Sequence, residues 1–189
     1  MTATVPAHLH RADAPGSTHT SGLVRTTPPA SRHVRSAGFE VALHEGAARG
    51  ARAIPGDGRL CVVVGNGSSG SPVPMDVPAT TSSSLCLVWA HADGSLQVRA
   101  SWAPPALLVS HHSPTAMVPQ VPGLPGRAVL APGERLLVLS SEAFEAEPQT
   151  VARLLHESPA ALLRTDADDL LDELFLGAPG VGGAVLTRL

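Results

Sequence analysis

Carboxylates, imidazoles and thiols are the groups in this chain that could hold an ion or move a proton, and their spacing sorts them. The densest set is Asp166, Asp168, Asp169, Asp172 and Glu173. Such a cluster could offer oxygens to a hard divalent cation, which needs many of them. The same stretch carries Leu170, Leu171, Leu174 and Phe175 at helical spacing, and acids favour a helix N-terminus through its dipole. The spacing therefore predicts a helix with a wet acidic face, opened by a capping-box-like Thr165 and Asp168. Asp57-Gly58 is a turn pair. His8, His10, His19 and His33 lack the tight spacing and cysteine partners of a zinc site. His111 and His112 are adjacent, so on an extended chain they point to opposite faces and cannot share a metal. Cys61 and Cys86 lie inside apolar runs, where free cysteine behaves as a small core residue. No Gly-x-Ser-x-Gly elbow, phosphate loop or Cys-x-x-Cys occurs, so the corresponding enzyme classes have no support.

These groups need elements to position them, and the best-marked stretch is LAPGERLLVLSSEAFEA, Leu130 to Ala146. Pro132 and Gly133 form a turn, Leu136 to Leu139 an apolar strand, and Ser140-Ser141 the exit into an acidic helix start. Upstream, Phe39, Val41 and Leu43 alternate with Glu40, Ala42 and His44, the pattern of a strand with one buried face. Leu60 to Val64 is a continuous apolar run, as in a strand buried on both faces. Leu85 to Trp89 and Leu96 to Trp102 flank Ala92-Asp93-Gly94 and predict a hairpin. Ala106 to Val109 is a further strand, and Pro114 to Gly126 reads as a Pro- and Gly-punctuated connection. Thr150 to His156 and the stretch from Pro159, capped by Ser158, predict helices. A final strand closes the chain around Val185.

Composition limits the partners. A chain of 189 residues with 43% hydrophobic content can bury one core. Only 15% of residues are charged and the net charge is −3, which argues against a nucleic-acid binder. All cations are arginine, and neither lysine nor tyrosine occurs, a bias expected of a GC-rich genome. Residues 1–60 carry seven Arg against four acids, whereas residues 131–189 carry four Arg against ten acids. No apolar run is long enough to span a bilayer, and the N-terminus has no secretory apolar region, so the expectation is a cytoplasmic protein without a membrane partner. Residues 1–36, rich in Thr, Ser, Pro, Ala and His, are expected to be a disordered tail, and residues 37–189 the folded domain.

The order of turns and strands resembles the metal-dependent PPM (type 2C) protein serine/threonine phosphatases, in particular their bacterial SpoIIE-like branch, over about residues 38–189. Pro132, Gly133, Arg135, Leu136, Leu137, Glu145 and Ala146 stand where that family's late core has them, and Pro104 and Pro105 match the end of its Ala-Gly-His-Pro-Pro, with Ala103 in place of the histidine. The resemblance implies an α/β (α+β) fold, a sandwich of two mainly antiparallel β-sheets with helices. The family's two helices between residues 70 and 84 are trimmed here to SPVPMDVPATTSS, where Pro72, Pro74 and Pro78 forbid comparable length. A sheet face bared by that loss would mark a partner site.

The family binds two divalent ions through aspartates and attacks a phosphoserine or phosphothreonine with a bridging hydroxide. Hard Mg²⁺ or Mn²⁺ needs anionic oxygens. At the family's aspartate positions this chain has Ala48, Asn66, Ser141 and Val181. Four such losses imply no catalytic residue, no metal and no cofactor, and so a pseudophosphatase that binds a protein, by family analogy an anti-sigma-factor antagonist or a regulatory kinase. Two alternatives stand beside it. One is a divergent phosphatase holding a single Mg²⁺ or Mn²⁺ with Asp57, Glu142 or Glu145; the other is a structural subunit that forms a homodimer through the bared sheet.

Overall fold

Alternating and continuous apolar runs build eleven strands and four helices among the residues described by the computed structural model, which are 32–44, 50–65, 84–121, 123–146, 148–175 and 182–189. The strands are β1 (Arg32–Ser36), β2 (Phe39–His44), β3 (Ala51–Gly56), β4 (Arg59–Gly65), β5 (Leu85–His91), β6 (Ser95–Ser101), β7 (Ala106–Val109), β8 (Ala116–Val118), β9 (Gly126–Val129), β10 (Arg135–Leu139) and β11 (Gly183–Arg188). Between β10 and β11 come α1 (Ser141–Ala146), α2 (Pro148–His156), α3 (Pro159–Arg164) and α4 (Ala167–Phe175). One sheet has six strands in the order β1-β2-β11-β10-β7-β8 and the other five in the order β3-β4-β5-β6-β9. Every pairing is antiparallel. The expected two-sheet α/β sandwich is the observed architecture.

The main core lies between the sheets. Phe39, Val41, Leu136, Val138 and Leu186 from one sheet meet Leu60, Val62, Val88 and Val98 from the other, all fully buried. Burying each such side chain contributes about 1.5–3 kcal/mol before the entropy of ordering is set against it. A second cluster joins the opposite face of the six-stranded sheet, through Ala42, Leu137, Leu139 and Val185, to Leu154, Leu162, Leu170, Leu171 and Leu174 of the helices. Strands β10 and β11 are therefore buried on both faces, and this is why their sequences run apolar without alternation. A small third cluster, Val63, Leu85 and Leu87 with Cys61 and Trp89, sits on the outer face of the five-stranded sheet.

At one end the sandwich is tied by Arg188. Its guanidinium donates to the carbonyls of Ala37, Gly38 and Ala92, at 3.3, 2.9 and 2.7 Å, and lies 5.0 Å from the Phe39 ring centroid. The same end carries the Asp57-Gly58 turn and the Asp93-Gly94 turn, where the Ala92 N–H donates to the Gly58 carbonyl. The other end is the one the functional positions border.

Several expectations need correction. Arg32–Ser36, assigned to the disordered tail, is strand β1, paired in register with β2 and held by an Arg35–Glu40 ion pair at 2.8 Å; tertiary pairing overrides its polar composition. Residues 1–31 lie outside the described residues, as do 66–83, which hold the segment read as trimmed of the family's two helices. Ala51–Gly56 is a strand despite Pro55, because β3 is an edge where one N–H needs no partner. A short strand, β8, interrupts the connection read from Pro114 to Gly126. The capping box is different too. Thr165 ends α3 by donating its hydroxyl to the Ala161 carbonyl at 3.0 Å, and Asp166 accepts the Asp168 N–H at 2.9 Å at the start of α4. Ser158 occupies the N-cap of α3, with Pro159 beginning the helix, but its hydroxyl makes no cap bond.

Candidate functional site

Strand ends from both sheets gather at the end opposite Arg188. In the six-stranded sheet β2 stops at His44 and β10 at Leu139, and both are paired with Gly183 at the start of β11. In the five-stranded sheet β4 stops at Gly65, paired with Leu85 at the start of β5. The chain leaves β10 through Ser140, whose N–H donates to the Gly182 carbonyl at 2.9 Å. The fully buried Ser140 hydroxyl accepts the Ala143 and Gly182 N–H groups at 3.4 and 3.3 Å, which turns the strand into α1. That turn places Ser141.

The Ser141 hydroxyl donates to the Ser84 hydroxyl at 2.7 Å. Ser84 leads into β5, so this contact joins the two sheets at the site end. Its neighbourhood is tight. Gly65 has φ +132°, and a Cβ there would lie 2.2 Å from the Ser84 carbonyl oxygen. Only glycine lets β4 end against the residue that meets Ser141.

Of the four expected ligand positions, Ser141 is the one described. Ala48, Asn66 and Val181 lie outside the described residues. Each belongs to a segment that begins or ends at this same end: 45–49 follows β2, Asn66 follows β4, and Val181 comes two residues before β11. Of the alternative ligands, Asp57 lies apart from Glu142 and Glu145. Asp57 is in the β3–β4 turn, a seven-residue strand away from Gly65, which is about 20 Å at the rise of an extended chain. Glu142 is partly buried in the first turn of α1, and Glu145 is exposed on the same helix.

The donor chemistry can be tested directly. The Ser141 O–H is spent on the Ser84 oxygen 2.7 Å away, and two neutral hydroxyls offer dipoles where a hard cation needs full negative charge. Among the described residues no group of three His, Cys, Asp or Glu side chains could hold a metal ion. The described residues do not fit Mg²⁺ or Mn²⁺. Thiolate chemistry is also disfavoured. Burial pushes the Cys86 thiol up to about 12, and burial raises Cys61 against the opposing pull of Arg59.

His44 is a buried titratable group at this end. Burial lowers its pKa, and the Asp172 carboxylate on α4 works in the other direction. His33 is on the same face, with its Nε2 2.9 Å from Asp168. The His33–Asp168 contact fastens α4 to β1, so the acidic helix face serves packing as well as solvation. His111 and His112 belong to the other end, where the Glu134 carboxylate accepts the Ser110 hydroxyl at 2.5 Å and the N–H groups of His111 and Ala131 at 3.1 and 2.8 Å.

Two residues here escaped the sequence reading. Ser84 had no visible signal, because only the fold brings it to Ser141. Trp102, at the site end just beyond β6, is 80% exposed and has φ +52°. A bulky residue in the left-handed region is held there at a cost of about 1–3 kcal/mol. Its signal was its place beside Ala103-Pro104-Pro105.

No protein-family profile and no curated protein sequence matches the chain. Solved structures do. RsbX in complex with magnesium matches at TM-score 0.58 and 9% identity, over 85% of this chain and 100% of that one. The RsbU and RsbW domains of a Mycobacterium tuberculosis protein match at TM-score 0.53 and 18% identity, over 80% of this chain. The chain spans 60% of that structure's length. A structure described under the bacterial stressosome, a modular system adapted to control secondary messenger signalling, matches at TM-score 0.53 and 13% identity, over 80% of this chain and 98% of that one. At these identities what is shared is the fold: the chain has the two-sheet sandwich of the PPM-type (type 2C) phosphatases.

Proposed function

We propose that the chain is a catalytically inactive SpoIIE-like pseudophosphatase that works as a cytoplasmic protein-binding module in bacterial partner-switching signalling. The observation that carries the reading is the Ser141–Ser84 hydroxyl pair. A serine stands where the family resemblance expects the metal aspartate, and its hydroxyl is engaged with a second hydroxyl rather than offered to a cation. A carboxylate at one ligand position can be lost and the ion still held. Neutral groups at all four would remove the charge that keeps two divalent cations close together.

The partner is a protein of the kind the phosphatase branch acts on or beside: an anti-sigma-factor antagonist or its kinase. The likeness to RsbX and to the RsbU and RsbW domains supports this class, and the exposed Trp102 indole at the site end supports binding, since aromatic anchors dominate interface energy. Among the described residues no helix is long and apolar enough to cross a membrane.

The test is hydrolysis of an aryl phosphate and of a phosphoserine peptide with added Mn²⁺, by the native chain and by the Asn66→Asp/Ser141→Asp variant. The native chain should turn over neither substrate. Metal-dependent turnover by the native protein overturns the reading and returns the chain to the active phosphatases.

A further inference from the structure

Among the described residues each sheet has two edge strands, and three of these edges are blunted. Strand β1 carries exposed Arg32, His33 and Arg35, β3 carries Pro55, and β8 is only three residues long. Strand β9 differs. The Leu130 N–H donates to the Gly94 carbonyl at 3.0 Å, and Gly126 and Ala128, in the same alternation, turn their backbone groups toward β6. Arg127 and Val129 therefore direct their N–H and C=O groups away from β6, where β9 has no further neighbour among the described residues. Beside this edge a groove of about 400 Å³ runs between β9 and β8, and the one charge among its described residues is Arg127. Met117, Val121, Leu124 and Val129 border it at 48, 54, 58 and 68% exposure. They are four of the seven large apolar side chains exposed among the described residues, so this side of the sandwich is both bare and apolar.

We propose that β9 pairs antiparallel with β9 of a second copy, joining the two five-stranded sheets into one across a twofold axis. The inference goes beyond the binding-module reading and does not depend on it. A second copy is the occupant this edge fits, because of where its free groups fall. An axis through Ala128 sets Arg127 of each copy against Val129 of the other, so that both outward residues of each copy bond in reciprocal pairs. Arg127 then stands opposite an apolar side chain. An axis through Arg127 would oppose like charges, and one through Val129 would leave Arg127 past the end of the facing strand. The contact is isologous, so it closes at two copies and lays the apolar rim of one on that of the other. A net charge of −3 sets little repulsion against it. Four half-bare side chains and one short edge per copy place the area at the low end of specific interfaces, roughly 1,000 Å² in total, so the dimer is a weak one.

The experiment is sedimentation equilibrium of the full chain. Its mass should rise from one chain toward two between about 1 and about 300 μM, the range a weak interface requires. Val129→Pro removes an N–H that faces away from β6, a change an edge strand tolerates, and should weaken the dimer at least about tenfold while the monomer keeps its urea midpoint. Leu124→Glu acts in the loop before β9 rather than in the strand, and its carboxylate in the apolar rim should weaken the dimer to a similar degree. Ala128→Cys in a Cys61→Ser background should form a disulfide between copies on oxidation, because the axis brings the two Cα atoms to about 4.5 Å. A chain that stays monomeric throughout overturns the proposal and leaves the edge to a strand of another protein. A dimer indifferent to Val129→Pro and Leu124→Glu, a dimer that Ala128→Cys does not cross-link, or assembly that continues past two copies overturns it as well.

Discussion

The larger sheet packs its outer face under helices of its own chain, whereas the smaller sheet carries arginines and a small apolar cluster on the equivalent face. Both contribute one face to the same central core. The difference shows at the sheet margins more than at the centres: β10 and β11 are buried nearly throughout, β4 and β5 of the smaller sheet are buried apart from Arg59, Cys61, Trp89 and His91, and exposed positions recur in β3 and β9. A helical layer makes its sheet permanent architecture.

The largest test of this contrast is a pair of truncations. Leu171 is fully buried between α4 and the larger sheet, so Leu171→Ala should cost about 3 kcal/mol in urea unfolding. Ile54 is 39% exposed on the smaller sheet's outer face, so Ile54→Ala should cost less than about 1 kcal/mol. Equal losses would mean that both outer faces are structural, and the contrast would collapse.

Next is the seam where the sheets meet. Gly65→Ala forces an L-residue to φ +132° with its Cβ 2.2 Å from the Ser84 carbonyl oxygen, and should cost at least about 1–3 kcal/mol in thermal or urea unfolding. A neutral outcome would show that β4 can retreat from Ser84 freely. The hydroxyl pair itself can be isolated by a double-mutant cycle of Ser84→Ala and Ser141→Ala. A coupling of about 0.5–1.5 kcal/mol is expected. Zero coupling would remove the contact on which the inactive-site reading depends.

The fold was legible where packing and pattern agree. Leu136 to Leu139, the Leu85–Trp102 hairpin and the leucines of α4 announce themselves, because burial on one or two faces dictates their period. Strands β1 and β8 were not legible, because short edge strands owe their existence to a neighbour's hydrogen bonds rather than to apolar content of their own. Pro55 hid β3 for a related reason: proline argues against a central strand, and sequence does not say which strand is an edge. Of the site, Ser141 could be read from its flanking turn and strand. Ser84 could not, since it lies 57 residues away from Ser141 in the chain and its hydroxyl acquires a role only when the sheets close. The caps of α3 and α4 show the same limit at short range, with Thr165 claimed by the helix before it and Asp166 taking the start of the next.

The smallest expected effect concerns pH and belongs to the helix-covered sheet. His44 faces α4, and burial holds its pKa below the ordinary 6.5 while Asp172 opposes that shift. Between the lowered folded pKa and 6.5, the unfolded chain binds a proton that the folded chain does not. Stability from neutral His44 is therefore complete above the unfolded pKa and is lost as pH falls through that window. His44→Gln should flatten the rise in urea midpoint between about pH 5.5 and about pH 7.5. Asp172→Asn should do the opposite, because removing the carboxylate lowers the His44 pKa further and widens the window. If Asp172→Asn also flattens the curve, the carboxylate is not opposing burial at His44, and the α4 contact must act through packing alone.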